Sequence, residues 1–413
     1  MDTTGTWGAA TAGPKRPLKY VARWSDLILL GIFVRLALSA ISAGTDDVGI
    51  WRRFGERIDT DGIVHLYRTD PGFNHPPLPA YWAMLVFQFT RYHPGSFPPV
   101  FRIPGIIADA FTCLLLYWIG KRRAMRAATG FPGFMSVAFA WSPVAILMAG
   151  HHGSTDSIYA SLCLLAAYCA QELSSPFKCG LALGAAINIK LIPVLLIVPF
   201  LTRFRSRAQA AGFIAGLAIM AIPFLPVLIA CGSAFHRNAM DYNSAIDYWG
   251  IDQILLQAQS VDKYAGLGVI LLAEYYSVGR YVIWASVFAL ALIAARKQLD
   301  FYTIGAGAAA LFLIFTPGFG VQYLIFVLPL LLAADLKIGL LFSLLAGGFM
   351  FIAYELFWDG TYPIETVGIS VRVHRGPGET LAALAWATLI CFVYRSVARH
   401  FGQIPVARAH IPV

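Results

Sequence analysis

The sequence predicts an all-α, polytopic integral membrane protein with about twelve membrane helices and two large extracytoplasmic loops. Of its 413 residues, 58% are hydrophobic and only 13% are charged, whereas soluble domains carry roughly 25% charged residues. Lys and Arg cluster at alternate ends of successive apolar segments, as expected where those ends face the cytoplasm. The formal net charge of +9 is therefore attributed to membrane topology, and no nucleic-acid partner is predicted.

The first third of the chain sets the orientation. Residues 1–23 carry four basic side chains and are expected to be a cytoplasmic tail, after which 24–43 crosses outward. Residues 44–99 then form the first external loop. Within it the apolar stretch 78–90 is too short to span about 30 Å of hydrocarbon, so we expect a helix on the membrane surface. The span 100–120 returns inward to a basic run.

The next segments contain the ambiguous part of the topology. Residues 131–149 cross outward and 157–173 return. The stretch 179–201 is broken by Lys190 and has basic residues on both flanks, which predicts a hairpin of two short helices with Lys190 near its outer tip. The rival topology makes 179–201 a single crossing and lets 78–91 span.

The remaining spans complete one membrane domain over residues 1–413. Residues 208–231 exit, 232–277 form the second external loop, and 278–295 return. Four further spans are predicted, with a third external loop at 358–379 between the last two: 301–316, 321–334, 338–357 and 380–394.

Asp46 and Asp47 directly follow the first span. Adjacent carboxylates repel, which raises the pKa of at least one and favours a general base or a cation site. No metal-ligand set is predicted, although the pair leaves room for a divalent metal as cofactor. For an aspartate pair taken alone, a solvated helix end is the more common explanation.

Other polar groups lie at predicted helix ends or inside spans. Lys190 would cost about 2.5 to 3.5 kcal/mol deep in lipid, so it requires an anionic partner or an aqueous cavity. The turn Gly150–Ser157 offers two histidines and an aspartate without the spacing of a metal motif, and a simple polar turn is an equal alternative. Arg102 and Asp109 share a helical face; Arg102 can reach a lipid phosphate, whereas Asp109 needs a partner within the span.

Taken together, these residues resemble the GT-C glycosyltransferases that use a polyprenyl-phosphate sugar. The resemblance is to the dolichyl-phosphate-glucose-dependent glucosyltransferases of asparagine-linked glycan assembly and, secondly, to the first mannosyltransferase of GPI-anchor synthesis. It covers mainly residues 24–202. Its matching pieces are Asp47-Val48, Pro76-Pro77-Leu78-Pro79-Ala80-Tyr81, the spacing of Arg102 and Asp109, Gly150-His151, Asn188-Ile189-Lys190 and, for the GPI enzyme, Gln322-Tyr323. The segment 317–322 and the turn after His151 depart from the glucosyltransferases.

The resemblance implies a GT-C-like helix bundle and a hexosyltransferase. It would move glucose or mannose, with inversion, from a polyprenyl-phosphate donor to a lipid-linked saccharide or other membrane-proximal acceptor on the extracytoplasmic face. Asp47 is the expected base, with Asp46 as the alternate. The donor phosphate is expected to meet Lys190, Arg102 and His151. The other expected substrate contacts are His75, His152, Asp156, Tyr242, Trp249, Gln322, Arg372, His374 and Arg375.

Two other function classes remain open on the sequence. A lipid or saccharide transporter or flippase would need internal symmetry and ionisable groups near the bilayer midplane, and neither is evident. A non-catalytic membrane scaffold would be indifferent to Asp47→Asn. The absence of N-x-S/T sequons and the alanine and arginine bias favour a bacterial inner membrane over the endoplasmic reticulum.

Overall fold

The structure is a computed structural model, and it describes residues 19–127, 132–242, 249–259, 261, 264–357 and 375–398. Within those residues the regular structure is helical and contains no strand, which confirms the all-α prediction. The helices of the first half are α1 (Lys19–Ile41), α2 (Asp46–Asp61), α3 (Ile63–Thr69), α4 (Pro77–Thr90), α5 (Phe97–Ala127), α6 (Phe134–Ala140), α7 (Pro143–Leu147), α8 (Asp156–Gln171) and α9 (Pro176–Ile189).

The second half continues the same pattern of long and short helices. They are α10 (Ile197–Leu201), α11 (Arg207–Ala221), α12 (Leu225–Phe235), α13 (Gly250–Gln259), α14 (Ala265–Lys297), α15 (Phe301–Phe315), α16 (Leu324–Ala334), α17 (Leu336–Phe357) and α18 (Arg375–Ala398). Single turns of tighter or wider helix join several of them, including Met148–His152 and Ile192–Leu196.

Six helical stretches in the described part of the chain are long and apolar enough to cross a membrane. They are α1, α5, α11 with α12, α14, α17 and α18; α6 and α7, bent by 45°, together make a seventh candidate. Shorter apolar helices, among them α9, α15 and α16, fill the bundle between them. The chain is therefore a multi-pass membrane protein, while the count of about twelve membrane helices stays a prediction.

The predicted hairpin around Lys190 is confirmed. α9 ends at Ile189, and Lys190 itself is extended, with φ −152° and ψ 146°. The chain then returns through Ile192–Leu201, so that Arg203 donates from Nε to the carbonyl of Leu299 at 2.8 Å. Leu299 lies beside Phe301, whose amide donates to the side chain of Gln171 just before α9. Both ends of the hairpin thus lie at one end of the bundle, and the rival single crossing is wrong.

The segment after the first span is helical, which corrects the prediction of an external loop there. In α2 the residues Val48, Trp51, Phe54 and Ile58 are buried, a spacing of three or four that places them on one face. This face packs with α3, α4 and the Phe224 region before α12 in a second apolar core, separate from the main bundle core. The second core holds α2 rigidly over one end of the bundle.

A buried ion pair joins the first spans. Arg35 Nε donates to Asp109 Oδ2 at 2.7 Å, and both side chains are almost fully buried. The remaining guanidinium nitrogens of Arg35 donate to the carbonyls of Gly31, Phe139 and Ala140. Asp109 therefore has the partner within the span that its position requires, and the partner is supplied by α1.

Candidate active site

A cavity of about 230 Å³ lies where α2, the turn before α4, the break at Lys190 and the start of α16 meet. Asp47, Lys190 and His75 line it together with aromatic side chains. The full lining also includes Ile50, Trp51, Phe54, Gly72, Asn74, Leu191, Ile192, Ala239, Tyr242, Gln322 and Tyr323. The structure therefore brings one predicted base and one predicted phosphate ligand to the same cavity.

Asp47 is held by a chain of polar contacts. Its Oδ2 is 3.0 Å from Nε2 of His152, an ion-pair distance. The other ring nitrogen of His152, Nδ1, lies 3.0 Å from the Tyr354 hydroxyl. The carboxylate is oriented by a buried histidine, which is in turn oriented by a buried tyrosine.

The electrostatics of the cavity keep Asp47 charged. Burial raises the pKa of this carboxyl, but the close contact with His152 and the positive charge of Lys190 outweigh burial and bring the pKa below its usual 3.8. Burial, assisted by the charge of Lys190, lowers the pKa of His75 to about 3. At neutral pH Asp47 is thus an anion and His75 an uncharged ring.

Lys190 has the anionic partner that its apolar setting requires. Its Nζ donates to Asp156 Oδ1 at 2.6 Å, and Asp156 is buried at the first turn of α8. The ammonium also lies 4.8 Å from the ring centre of Tyr323 and 5.7 Å from that of Tyr159, distances at which a cation is attracted to an aromatic face. Asp156 therefore positions the lysine.

Arg102 and His151 lie behind the cavity wall and not in its lining. The guanidinium of Arg102 is buried and donates to the carbonyls of Ser39, Ser42 and His151 at 3.1, 2.9 and 2.6 Å. Nδ1 of His151 is 2.6 Å from the Ser42 hydroxyl. In this arrangement the two residues tie the end of α1 to the histidine turn, and the structure does not bring them to the cavity lining.

Two glycines with positive φ allow this close packing. Gly44 (φ +87°) adjoins the Arg102 guanidinium, and Gly153 (φ +83°) adjoins Val48 of α2, so that a Cβ at either position would collide with its neighbour. Any other residue would also be strained in this backbone conformation. The turn 150–157 can thus approach α2 closely enough for His152 to reach Asp47.

The other predicted site residues divide into four groups. Tyr242 and Gln322 line the cavity, whereas Asp46 is exposed at the start of α2. Trp249 is not in the cavity lining: it is 1% exposed, stacks on Phe319 and donates from Nε1 to the Leu313 carbonyl at 2.8 Å. Arg372, His374 and the side chain of Arg375 lie outside the described residues.

Sequence reasoning missed three residues of the site. Tyr354 is 202 residues from His152 in the sequence, and no pattern in its own helix predicts a role in the site. Trp51, whose ring lies 4.4 Å from that of His75, and Phe54 could have been found, because their spacing within 46–61 is that of an amphipathic helix.

Comparison with known proteins assigns the chain to a family. No curated protein matches the sequence significantly. The sequence profile of glycosyltransferase family 87 matches residues 75–317, a range that contains His75, the histidine turn and Lys190 and begins after Asp47. Among the described residues no three His, Cys, Asp or Glu side chains are grouped so as to hold a metal ion. Because the match covers more than half of a multi-pass helical chain, the protein belongs to glycosyltransferase family 87 and is a membrane glycosyltransferase.

Proposed function

We propose that the cavity transfers a hexose, glucose or mannose, from a polyprenyl-phosphate donor to a lipid-linked or membrane-proximal acceptor on the extracytoplasmic face of a bacterial inner membrane. The observation that carries the proposal is the presence of Asp47 and Lys190 in the lining of one small cavity. A carboxylate and an ammonium group there match the two charges that an inverting transfer from a sugar phosphate requires, a base for the acceptor and a cation for the leaving group.

In the proposed step Asp47 takes the proton of an acceptor hydroxyl. The hydroxyl oxygen attacks the anomeric carbon of the donor from the face opposite the phosphate. The bond between that carbon and the phosphate oxygen breaks, and the electron pair leaves with the phosphate. His152 occupies one carboxylate oxygen of Asp47, so the other receives the proton. General-base assistance of this kind contributes about 10²- to 10⁴-fold to the rate.

Lys190 is proposed to bind the departing phosphate. An ammonium has three N–H donors, and Asp156 engages one of them. The other two are left for a phosphate, and the cation–π contacts with Tyr159 and Tyr323 help to hold the ammonium in place. In a cavity with this many aromatic walls a charge interaction is stronger than in bulk water. Lys190 thus stabilises negative charge that develops in the transition state.

The rest of the lining is proposed to hold the sugar. A volume of about 230 Å³ is below the roughly 300 to 1,000 Å³ of drug-sized ligand sites, which suits a single sugar ring. Tyr242 and Gln322 offer a hydroxyl and an amide at its wall, and His75 offers an uncharged ring. Arg102 and His151 act as positioning residues for the turn that carries His152.

The test is transfer by the purified full-length protein. We expect release of polyprenyl phosphate from synthetic polyprenyl-phosphate glucose or mannose when a membrane lipid extract supplies the acceptor. Asp47→Asn should reduce that release about 10²- to 10⁴-fold. The matched control is Asp46→Asn, which removes an equal charge one residue away and should stay within about twofold of the wild type. Equal loss in both variants, or silence with both donors, contradicts the proposal.

A further inference from the structure

A second recess lies at the other end of the bundle from the active site. It measures about 610 Å³ and is lined by Trp118, Lys121, Arg122, Met125 and Tyr168. Lys121 follows Arg102 by nineteen residues in the continuous helix α5, which is roughly 28 Å at 1.5 Å per residue. That length is close to the thickness of the hydrocarbon core, so the recess lies at the opposite membrane surface.

The recess presents positive charge in a fixed position. The guanidinium of Arg122 lies 5.6 Å from the ring centre of Tyr168, and its Nη1 donates to the Glu172 carbonyl at 2.9 Å. The Glu172 carboxylate is 3.9 Å from the same nitrogen and balances part of its charge. Lys121 is exposed and has no acidic partner among the residues that the structure describes. The recess is therefore cationic, and one of its cations is held in place.

An apolar stripe on α5 reaches Lys121 and Arg122. Ile107, Leu114, Trp118 and Met125 are each at least 41% exposed. Their spacings of seven, four and seven residues place them on one helical face. Lys121 is on the same face, one turn beyond Trp118. Trp118 and Tyr168 occupy the depth at which aromatic side chains concentrate in membrane proteins, next to the headgroups.

From this arrangement we propose that the recess is a binding site for an anionic phospholipid of the leaflet opposite the active site. The phosphate and the headgroup charge meet Lys121 and Arg122, and an acyl chain runs along the stripe towards Ile107. A general excess of positive charge on cytoplasmic loops requires neither a recess nor a fixed guanidinium. Basic pockets between membrane helices are suited to such headgroups.

The test is lipid binding by the full-length protein in detergent, measured by native mass spectrometry. The probes are dioleoyl phosphatidylglycerol, dioleoyl phosphatidylcholine and inorganic phosphate. We expect the anionic lipid to bind tightly and phosphatidylcholine weakly. Since each cation near an anionic lipid surface contributes about fivefold, Lys121→Gln with Arg122→Gln should weaken binding of the anionic lipid at least tenfold. Arg296→Gln with Lys297→Gln, at the same end of the bundle, removes equal charge and should change it less than twofold.

Three outcomes overturn the proposal. The first is equal affinity for the two lipids, and the second is equal weakening by the two double variants. The third is displacement of the anionic lipid by millimolar inorganic phosphate, which assigns the recess to a free anion. Thermal unfolding in detergent checks that the variants fold. If the double variant does not, the single change at exposed Lys121 should still weaken binding several-fold, and no change there is equally contradictory.

Discussion

Two ion pairs in this protein are built from the same chemistry and differ in what surrounds the cation. Arg35 and Asp109 are sealed between α1 and α5, and the remaining donors of Arg35 are taken by backbone carbonyls. Lys190 lines the cavity and is paired with the buried Asp156; the lysine side chain is 14% exposed and its ammonium contacts aromatic rings. The Arg35 pair leaves no donor that a ligand could reach, whereas the Lys190 pair leaves donors at the cavity.

The difference separates a structural charge from a functional one. Removing one partner of a sealed pair leaves an uncompensated charge in a low-dielectric environment and destabilises the fold. Lys190 itself lines the cavity, so water can take its place beside Asp156, and the same kind of change should mainly affect the reaction. The presence of a charged residue within or beside a membrane bundle is therefore not enough to indicate a functional site.

The largest effect is expected from breaking the buried ion pair between Arg35 and Asp109. Asp109→Asn should lower the free energy of unfolding by about 3 to 5 kcal/mol, measured by denaturant or thermal unfolding in detergent. Lys190→Gln is the comparison and should lower it by much less. Equal destabilisation by the two changes would show that both pairs are structural.

The next effect concerns turnover. Lys190→Gln should reduce transfer about 10²- to 10³-fold, the range seen when one donor to a developing negative charge is removed. Lys190→Arg keeps the charge and should recover part of the activity. Transfer rates from the same donor measure both, and a fully active Lys190→Gln protein would contradict the role of Lys190.

A smaller effect appears in the pH dependence. Because the pKa of Asp47 is lowered below 3.8 and the base acts as an anion, the acid limb of kcat/KM should lie below pH 3.8. His152→Gln removes the largest opposing influence to burial, so the pKa of Asp47 should rise and the limb should move to higher pH. A limb that stays in place would show that His152 does not control Asp47.

The smallest effect is expected at Tyr354, which contacts the ring nitrogen of His152 that does not face Asp47. Tyr354→Phe removes one hydrogen bond to His152, a net contribution of about 0.5 to 1.5 kcal/mol, so transfer should fall roughly two- to tenfold. The matched control is Tyr394→Phe on the exposed surface of α18, which should have no effect. A loss as large as that of Asp47→Asn would indicate a direct part in the reaction.

The sequence was sufficient for the parts of the molecule that depend on local pattern. Apolar length predicted a multi-pass helical membrane protein, the basic flanks of 179–201 predicted the break at Lys190, and the cost of a lysine among apolar residues predicted its anionic partner. The position of Asp47 directly after the first span predicted a base there; the residue lines the cavity, and its role stays a prediction. Each of these inferences uses neighbours within a few residues.

The arrangement of the site could not be predicted in the same way. The chain from Asp47 through His152 to Tyr354 joins residues separated by hundreds of positions, and only tertiary packing brings them together. Arg102 could have faced lipid phosphate or the protein interior, and three backbone carbonyls decide in favour of the interior. The burial of Trp249 could not be predicted, because an aromatic residue in a polar loop has the same sequence pattern whether its ring is exposed or packed in the core.

The central claim is that one cavity holds both the base and the phosphate-binding cation. The most direct test measures donor binding and turnover separately, with the same polyprenyl-phosphate sugar, for Asp47→Asn and Lys190→Gln. The account predicts that Asp47→Asn binds the donor within a few-fold of the wild type and fails to transfer it, whereas Lys190→Gln loses affinity for the donor as well as rate. An Asp47→Asn protein that transfers sugar at the wild-type rate, or a Lys190→Gln protein that binds the donor normally, would contradict it.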